Sequence, residues 1–335
     1  MPADRAATAQ DFCRAAGWGA ARRRFLAGDA SARRYERLAL PDGRSAVLMD
    51  APPGSGEDLA AYRRVDAHLR GLGLSAPAIF AADEAAGFLL LEDLGDGLFA
   101  RLLAAEPGRE LALYTAATDV LLALQAAAPL PGLAAYDAAA MAEAVAPAIT
   151  HYRFALTGSR DDPAPLIAAM AEALAALPPL PPAMILRDYH AENLLWLPER
   201  SGLARVGVLD FQLALLSHPA YDLVSLLQDA RRDIAPATEA ALIARFAAAR
   251  GFAPEAFAQA YRTIGAQRHL RILGVFARLA LEQGKTGYLA YLPRVWRDLL
   301  RDLPAPLAPA LALLPAPEPD ALDRIRDRCL TAPTP

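Results

Sequence analysis

Three short apolar runs stand in the middle of a chain that elsewhere reads as helix: Met184-Ile185-Leu186, Leu194-Leu195-Trp196-Leu197 and Val206-Gly207-Val208-Leu209. They are too short for buried helices and are separated by charged or turn segments such as Pro198-Glu199-Arg200-Ser201-Gly202, so they read as buried strands. Each ends in polar residues. Ile185-Leu186 leads into Arg187-Asp188-Tyr189-His190-Ala191-Glu192-Asn193, and Val206 to Leu209 leads into Asp210-Phe211-Gln212. A carboxylate at the end of a buried strand is costly to desolvate unless a cation or hydrogen bonds compensate it. The chain must therefore fold so that these ends meet partners, which points to an α+β architecture with a polar site at its strand ends.

The segments on either side give that architecture two parts. Tyr35 to Leu40, the turn Pro41-Asp42-Gly43 and Arg44 to Asp50 predict a β-hairpin. After Pro52-Pro53-Gly54-Ser55-Gly56, the spacing of Leu59, Tyr62, Val65 and Leu69 predicts a helix that stops at Gly71 and Gly73. Ala78 to Ala81 and Phe88 to Leu91 read as two more strands. A small sheet with one helix thus occupies residues 1–93. From 94 to 335 helix dominates, with periodic apolar residues over Leu111 to Ala127, Ala138 to Ala148, Leu166 to Leu177, Thr238 to Ala249, Pro254 to Glu282, Tyr288 to Asp302 and Asp320 to Arg328.

Composition narrows the function. The 335 residues are 55% hydrophobic and 21% charged, enough apolar material for a sizeable core. A net charge of −4 argues against a dedicated nucleic-acid or anionic-membrane surface. Cys13 and Cys329 have no partner spacing, the start lacks an apolar signal segment, and acidic, basic and Pro residues interrupt every alanine run. The expectation is a cytoplasmic protein with no membrane, nucleic-acid or obligate protein partner. Of 34 basic residues only Lys285 is a lysine, so any role that needs a lysine falls to it alone. The histidines show no zinc-ligand spacing, Gly17-Trp18-Gly19 and Gly71-Leu72-Gly73 lack the third glycine of a dinucleotide loop, and Gly284-Lys285-Thr286 lacks the earlier glycine of a P-loop.

Asp188, Asn193 and Asp210 are hard oxygen donors of the kind Mg²⁺ takes together with phosphate oxygens. Their order and spacing are those of a kinase catalytic loop followed by a metal-binding aspartate. Arg187 to Asn193, with Leu209-Asp210-Phe211-Gln212 and His218-Pro219-Ala220-Tyr221-Asp222-Leu223, resembles the aminoglycoside phosphotransferase and choline kinase family. Within it, Gly28 to Tyr35, Met49-Asp50-Ala51-Pro52-Pro53, Phe88 to Gly95 and Arg187 to Trp196 are similar to the subgroup of anomeric kinases of N-acetylmuramate and N-acetylglucosamine.

The resemblance implies a protein-kinase-like bilobal fold, with a small antiparallel-sheet lobe over 1–93 and a mainly helical lobe over 94–335. It implies phosphorylation of the C1 hydroxyl of an amino sugar in cell-wall recycling, with ATP and Mg²⁺. Other acceptors in the same fold are aminoglycosides and small alcohols, and a catalytically silent nucleotide-binding module is the non-enzyme alternative. Asp188 is then the catalytic base, Asn193 and Asp210 the metal ligands, and the backbone near Glu92, Asp93 and Leu94 the adenine contact. The family's third-strand lysine is absent, with Met49 at the best-aligned position, so Ser31, Arg33 or nearby backbone amides are the candidates for the phosphates. Asp222 is expected to satisfy backbone groups of the catalytic loop. For the acceptor, His190, His151, Arg153, Arg268 and Arg271 are the polar candidates.

Overall fold

The computed structural model describes residues 3–28 and 32–331. Its elements in chain order are α1 (Ala3–Ala15), β1 (Arg22–Gly28), β2 (Arg34–Ala39), β3 (Ser45–Asp50), α2 (Leu59–Gly71), β4 (Ile79–Asp83), β5 (Phe88–Glu92), α3 (Phe99–Ala105) and α4 (Glu110–Ala126). There follow α5 (Ala138–Glu143), α6 (Phe154–Thr157), α7 (Ala164–Ala175), β6 (Ala183–Ile185), β7 (Leu194–Trp196), β8 (Val206–Val208) and β9 (Leu215–Ser217). The chain closes with α8 (Tyr221–Leu227), α9 (Pro236–Arg250), α10 (Pro254–Gln283), α11 (Leu292–Arg301), α12 (Ala308–Leu311) and α13 (Pro319–Thr331). Packing groups these into two compact units, residues 1–120 with 191–214 and residues 121–190 with 215–335. The small sheet ends at Glu92, where β5 closes, but the first unit also includes α3 and the β7–β8 ribbon.

In the first unit the sheet runs β1-β2-β3-β5-β4, with every neighbouring pair antiparallel. Its central strands are apolar on both faces: Ala46 and Leu48 join Phe88, Leu90 and Leu38 in a core closed by Ala9, Cys13 and Trp18, while Val47, Met49, Leu89 and Leu91 are also buried. Strands buried on both sides read as continuous apolar runs, which is why the sequence shows Ala46-Val47-Leu48-Met49 rather than an alternation. Phe12 of α1 stacks on Phe88 with centroids 5.5 Å apart. Neither α1 nor β1 is anticipated from periodicity, because β1 is arginine-rich and α1 has a polar face over most of its length. Asp58 caps α2 by accepting from the Ala61 N–H at 2.8 Å, and Leu59, Tyr62, Val65 and Leu69 are buried along one stripe.

The β7–β8 ribbon pairs Leu194 with Val208 and Trp196 with Val206. Ser75 anchors it, its carbonyl accepting from Val208 N–H at 2.8 Å. Gly97 lies so close that a Cβ there would sit 2.4 Å from the Trp196 carbonyl oxygen, leaving no room for a side chain. Leu94, Leu195 and Leu197 form a small apolar cluster with Leu98 and Leu209.

In the second unit β6 pairs antiparallel with β9, and α10 is its central helix, buried along most of its length. Some helices differ from the sequence expectation at their ends. The helix expected over Ala138 to Ala148 stops at Glu143, and a π-helical turn follows at Ala148–Arg153, where Pro147 denies the backbone N–H that a continuous helix would need. The helix expected from Tyr288 begins at Leu292 after a 3-10 stretch at Thr286–Tyr291. Among the described residues no helix is long and apolar enough to cross a membrane.

Candidate active site

The loop after β6 is held by one carboxylate. Asp222, on α8 and fully buried, accepts from the backbone N–H of Leu186 at 2.6 Å and of Arg187 at 2.9 Å. Arg187 is one of two described non-glycine residues with positive φ, at 71°. The N–H of Asp188 bonds back to the Leu186 carbonyl at 3.0 Å, an i to i+2 bond across Arg187. That is a γ-turn of the strained, positive-φ kind, and such strain persists only where surrounding contacts over-determine it. One turn along α8, Ser225 donates to the Arg187 carbonyl at 3.1 Å and accepts from Arg268 Nη2 at 2.8 Å. The two polar residues three apart in an otherwise apolar helix therefore clamp both sides of the strained peptide and aim Asp188 out of the strand. Burial pushes the Asp222 carboxyl up to about 7, against the opposing pull of the two N–H donors.

In the first unit, β7 and β8 place Asn193 and Asp210 at the same end of one ribbon. Leu194 faces Val208, and the Leu209 N–H bonds the Asn193 carbonyl at 2.9 Å. Asp210 is the other positive-φ residue, at 57°, and Phe211 after it is fully buried against Tyr62, with centroids 4.8 Å apart. Backbone strain at both Arg187 and Asp210 marks the two segments that the spacing picks out. Arg33 Nη2 donates to Asp210 Oδ1 at 2.6 Å, Gln212 Nε2 donates to the same oxygen at 3.0 Å, and Arg33 Nε lies 3.2 Å from Glu57 Oε2. Burial opposes the Arg33 charge, but Tyr35, Asp210 and Glu57 outweigh it and raise its pKa. Met49, the position expected to stand for the family's lysine, is fully buried and offers no polar atom.

A magnesium ion fits this donor set. Asn193 and Asp210 could offer two hard oxygen ligands on one ribbon end, and Mg²⁺ ordinarily takes one or two protein ligands and completes its octahedron with phosphate and water. Among the described residues no group of three or more His, Cys, Asp or Glu is gathered as an all-protein metal cage.

Around Glu92 to Leu94 the side chains are already engaged. Glu92 pairs with Arg200 and accepts from the Ala78 N–H at 3.2 Å, while Asp93 accepts from Arg37 Nη2 and from the Gly95 N–H, both at 3.0 Å. The Glu92 N–H is given to the Ala78 carbonyl at 2.7 Å. A cavity of about 570 Å³ borders this segment, with Leu102, Trp196 and Pro198 on its walls. Ser31 lies outside the described residues.

The acceptor candidates separate into two groups. His190, Arg268 and Arg271 all interact electrostatically with Asp188. His190 is buried, which holds its pKa below the usual histidine value and keeps it neutral near pH 7. His151 and Arg153 pair with other carboxylates. His151 Nε2 lies 3.2 Å from Glu282 Oε1, and Arg153 Nε donates to Asp161 Oδ2 at 2.5 Å. Glu282 is eleven residues beyond Arg271 on α10, or ~16 Å along the helix. Sequence reasoning missed Glu57, Ser225 and Asp229; the polar spacing Asp222, Ser225, Asp229 through Leu223-Val224 and Leu226-Leu227 is the signal that would have found the last two.

A strained aspartate-bearing loop, a ribbon end with an asparagine and a second aspartate, and a small antiparallel sheet before a helical region define a kinase-type phosphotransferase. The sequence pattern of the phosphotransferase enzyme family matches residues 22–261, and the chain belongs to that family. It is 42% identical to the N-acetylmuramate/N-acetylglucosamine kinase of Caulobacter vibrioides, over 88% of this chain and 92% of that protein. The fold is shared with a choline/ethanolamine kinase family protein from Mesorhizobium loti (TM-score 0.61, 18% identity, 96% of this chain and 99% of that one). It is also shared with the aminoglycoside phosphotransferase APH(2'')-Ib, solved with ADP bound (TM-score 0.58, 13% identity, 89% and 97%).

Proposed function

We propose that the protein is an ATP-dependent, cytoplasmic amino-sugar kinase that phosphorylates the anomeric C1 hydroxyl of N-acetylmuramate or N-acetylglucosamine, as cell-wall recycling requires. The observation that carries this reading is the likeness to a kinase of those sugars along nearly the whole of both chains, together with the complete Asp188, Asn193 and Asp210 set. Asp188 orients the sugar hydroxyl and takes its proton as the oxygen attacks the γ-phosphorus. The bond from that phosphorus to the β–γ bridging oxygen breaks, and ADP leaves with the electron pair. Asn193 and Asp210 would hold Mg²⁺, which would supply positive charge against the phosphate oxygens. The adenine edge meets backbone groups of Asp93 and Leu94, since the Glu92 N–H is already given to Ala78.

Arg33 takes the role of the missing lysine. Its guanidinium touches Asp210, so a phosphate chain beside the metal ligand comes within its reach, and its planar fork suits two phosphate oxygens. Glu57 holds the other edge of the same group. Arg33→Ala is expected to raise the KM for ATP by about 10- to 100-fold, the loss of one charge-assisted contact, with Arg33→Lys recovering part of it. Lys285→Ala serves as the control, since Lys285 follows the Gly284 cap of α10 in the second unit. A loss confined to Lys285→Ala overturns the placement of the nucleotide.

The function is tested with a panel of amino sugars, aminoglycosides and small alcohols, scored by ADP release and by phosphorus NMR of the product. Turnover of the two amino sugars with phosphate on C1 is expected. Turnover of aminoglycosides alone, or ATP binding with no ADP release on any acceptor, rejects the reading.

A further inference from the structure

The second unit holds three buried polar groups around Asp188 that are incompletely paired. Asp229, on the turn after α8, is 1% exposed. Its Oδ1 accepts from the Arg231 N–H at 3.0 Å and lies 3.7 Å from the Arg231 guanidinium, while its Oδ2 has no hydrogen-bond partner. Arg268, on α10, gives Nη2 to Ser225 and leaves Nη1 without a partner. His190, five residues after β6, leaves Nδ1 without one. These three come from separate elements yet act on one another: Asp229 and Asp188 both attract charge on His190 and Arg268. Buried polar atoms are nearly always hydrogen-bonded, and Ser225, which joins Arg268 to the Arg187 carbonyl next to Asp188 and lies one turn before Asp229, ties these unpaired groups to the catalytic-type loop.

We propose that Asp229 is a specificity-determining residue of the acceptor site, its Oδ2 receiving a hydrogen bond from a hydroxyl or amide N–H of the sugar while Arg268 Nη1 donates to a sugar oxygen. The inference rests on the amino-sugar reading and extends it to the sugar-recognising groups. One free acceptor beside free nitrogen positions matches a neutral or anionic ligand that both gives and takes hydrogen bonds. Arg231 lies 3.7 Å from Asp229, and Arg268 and Arg271 are attracted by Asp188, so these carboxylates are offset by cations and present no acidic excess to a polycationic acceptor.

Asp229→Asn separates recognition from folding, because asparagine keeps an oxygen for the Arg231 N–H but replaces the free acceptor oxygen with an amide that donates. Its KM for the amino sugar is expected to rise about 10- to 100-fold, with the KM for ATP within about twofold of the parent and calorimetric sugar binding weakened in parallel. Wild-type sugar KM and affinity in Asp229→Asn overturn the proposal, including the case in which Asp229→Ala alone is impaired through a lowered Tm. A wild-type enzyme that binds and phosphorylates the sugars while Asp229→Asn is unaffected rejects only this inference. A wild type that neither binds nor phosphorylates them rejects the function and the inference together.

Discussion

Asp188→Asn is expected to lower kcat by about 10²- to 10⁴-fold, the usual worth of a positioned general base, with the KM for ATP little changed. The substitution is nearly isosteric, so the γ-turn at Arg187 and its clamp on Asp222 persist. What is lost is the carboxylate proposed to take the hydroxyl proton. The residual rate reflects positioning and charge stabilisation, which carry most of phosphoryl transfer. Steady-state kinetics with the amino sugar, alongside an ATP-binding measurement on the same variant, give the split. A kcat within about threefold of the parent sinks the assignment of Asp188 as base, since that is far below the effect of a general base.

Asp222→Ala is expected to damage both stability and catalysis. The buried Leu186 N–H and the partly buried Arg187 N–H both lose their acceptor. Leaving a buried donor unsatisfied costs ~1–3 kcal/mol, so the pair costs ~2–6 kcal/mol out of a total stability of only ~5–15 kcal/mol. Without that brace the positive-φ turn at Arg187 relaxes toward an unstrained conformation and carries Asp188 with it. A kcat loss approaching that of Asp188→Asn, together with a Tm lower by several degrees, is the expected result. Asp222→Asn retains one acceptor oxygen and is expected to fall between the parent and the alanine variant. An Asp222→Ala protein with parental Tm and kcat means that Ser225 and the surrounding packing hold the loop without it.

Much of the architecture is legible in local sequence because local physics dictates it. The hairpin at Pro41-Asp42-Gly43 forms where turn chemistry separates a mixed strand from the apolar run Ala46 to Met49, and it appears as β2 paired with β3. The helix after Asp58 follows from its cap and its apolar stripe. Strand β1 is not legible in this way, since three consecutive arginines carry no strand period and only pairing with β2 makes them one. The end of α5 at Glu143 likewise cuts short what the alanine pattern reads as a helix running to Ala148.

For the site the division is sharper. Asp188, Asn193 and Asp210 are readable because their chemistry needs those residue types at a fixed spacing beside buried strands, and the missing lysine is readable because composition leaves only Lys285. Which arginine stands beside Asp210 is a matter of tertiary structure: Arg33 and Asp210 are far apart in the chain, and no local period links them. The same holds for Asp229, which looks like an ordinary helix-end aspartate until burial leaves one of its oxygens unpaired. Spacing along the chain specifies groups that act through short covalent distances, whereas partners of charges and walls of pockets depend on which distant segments pack together, and that only the folded structure decides.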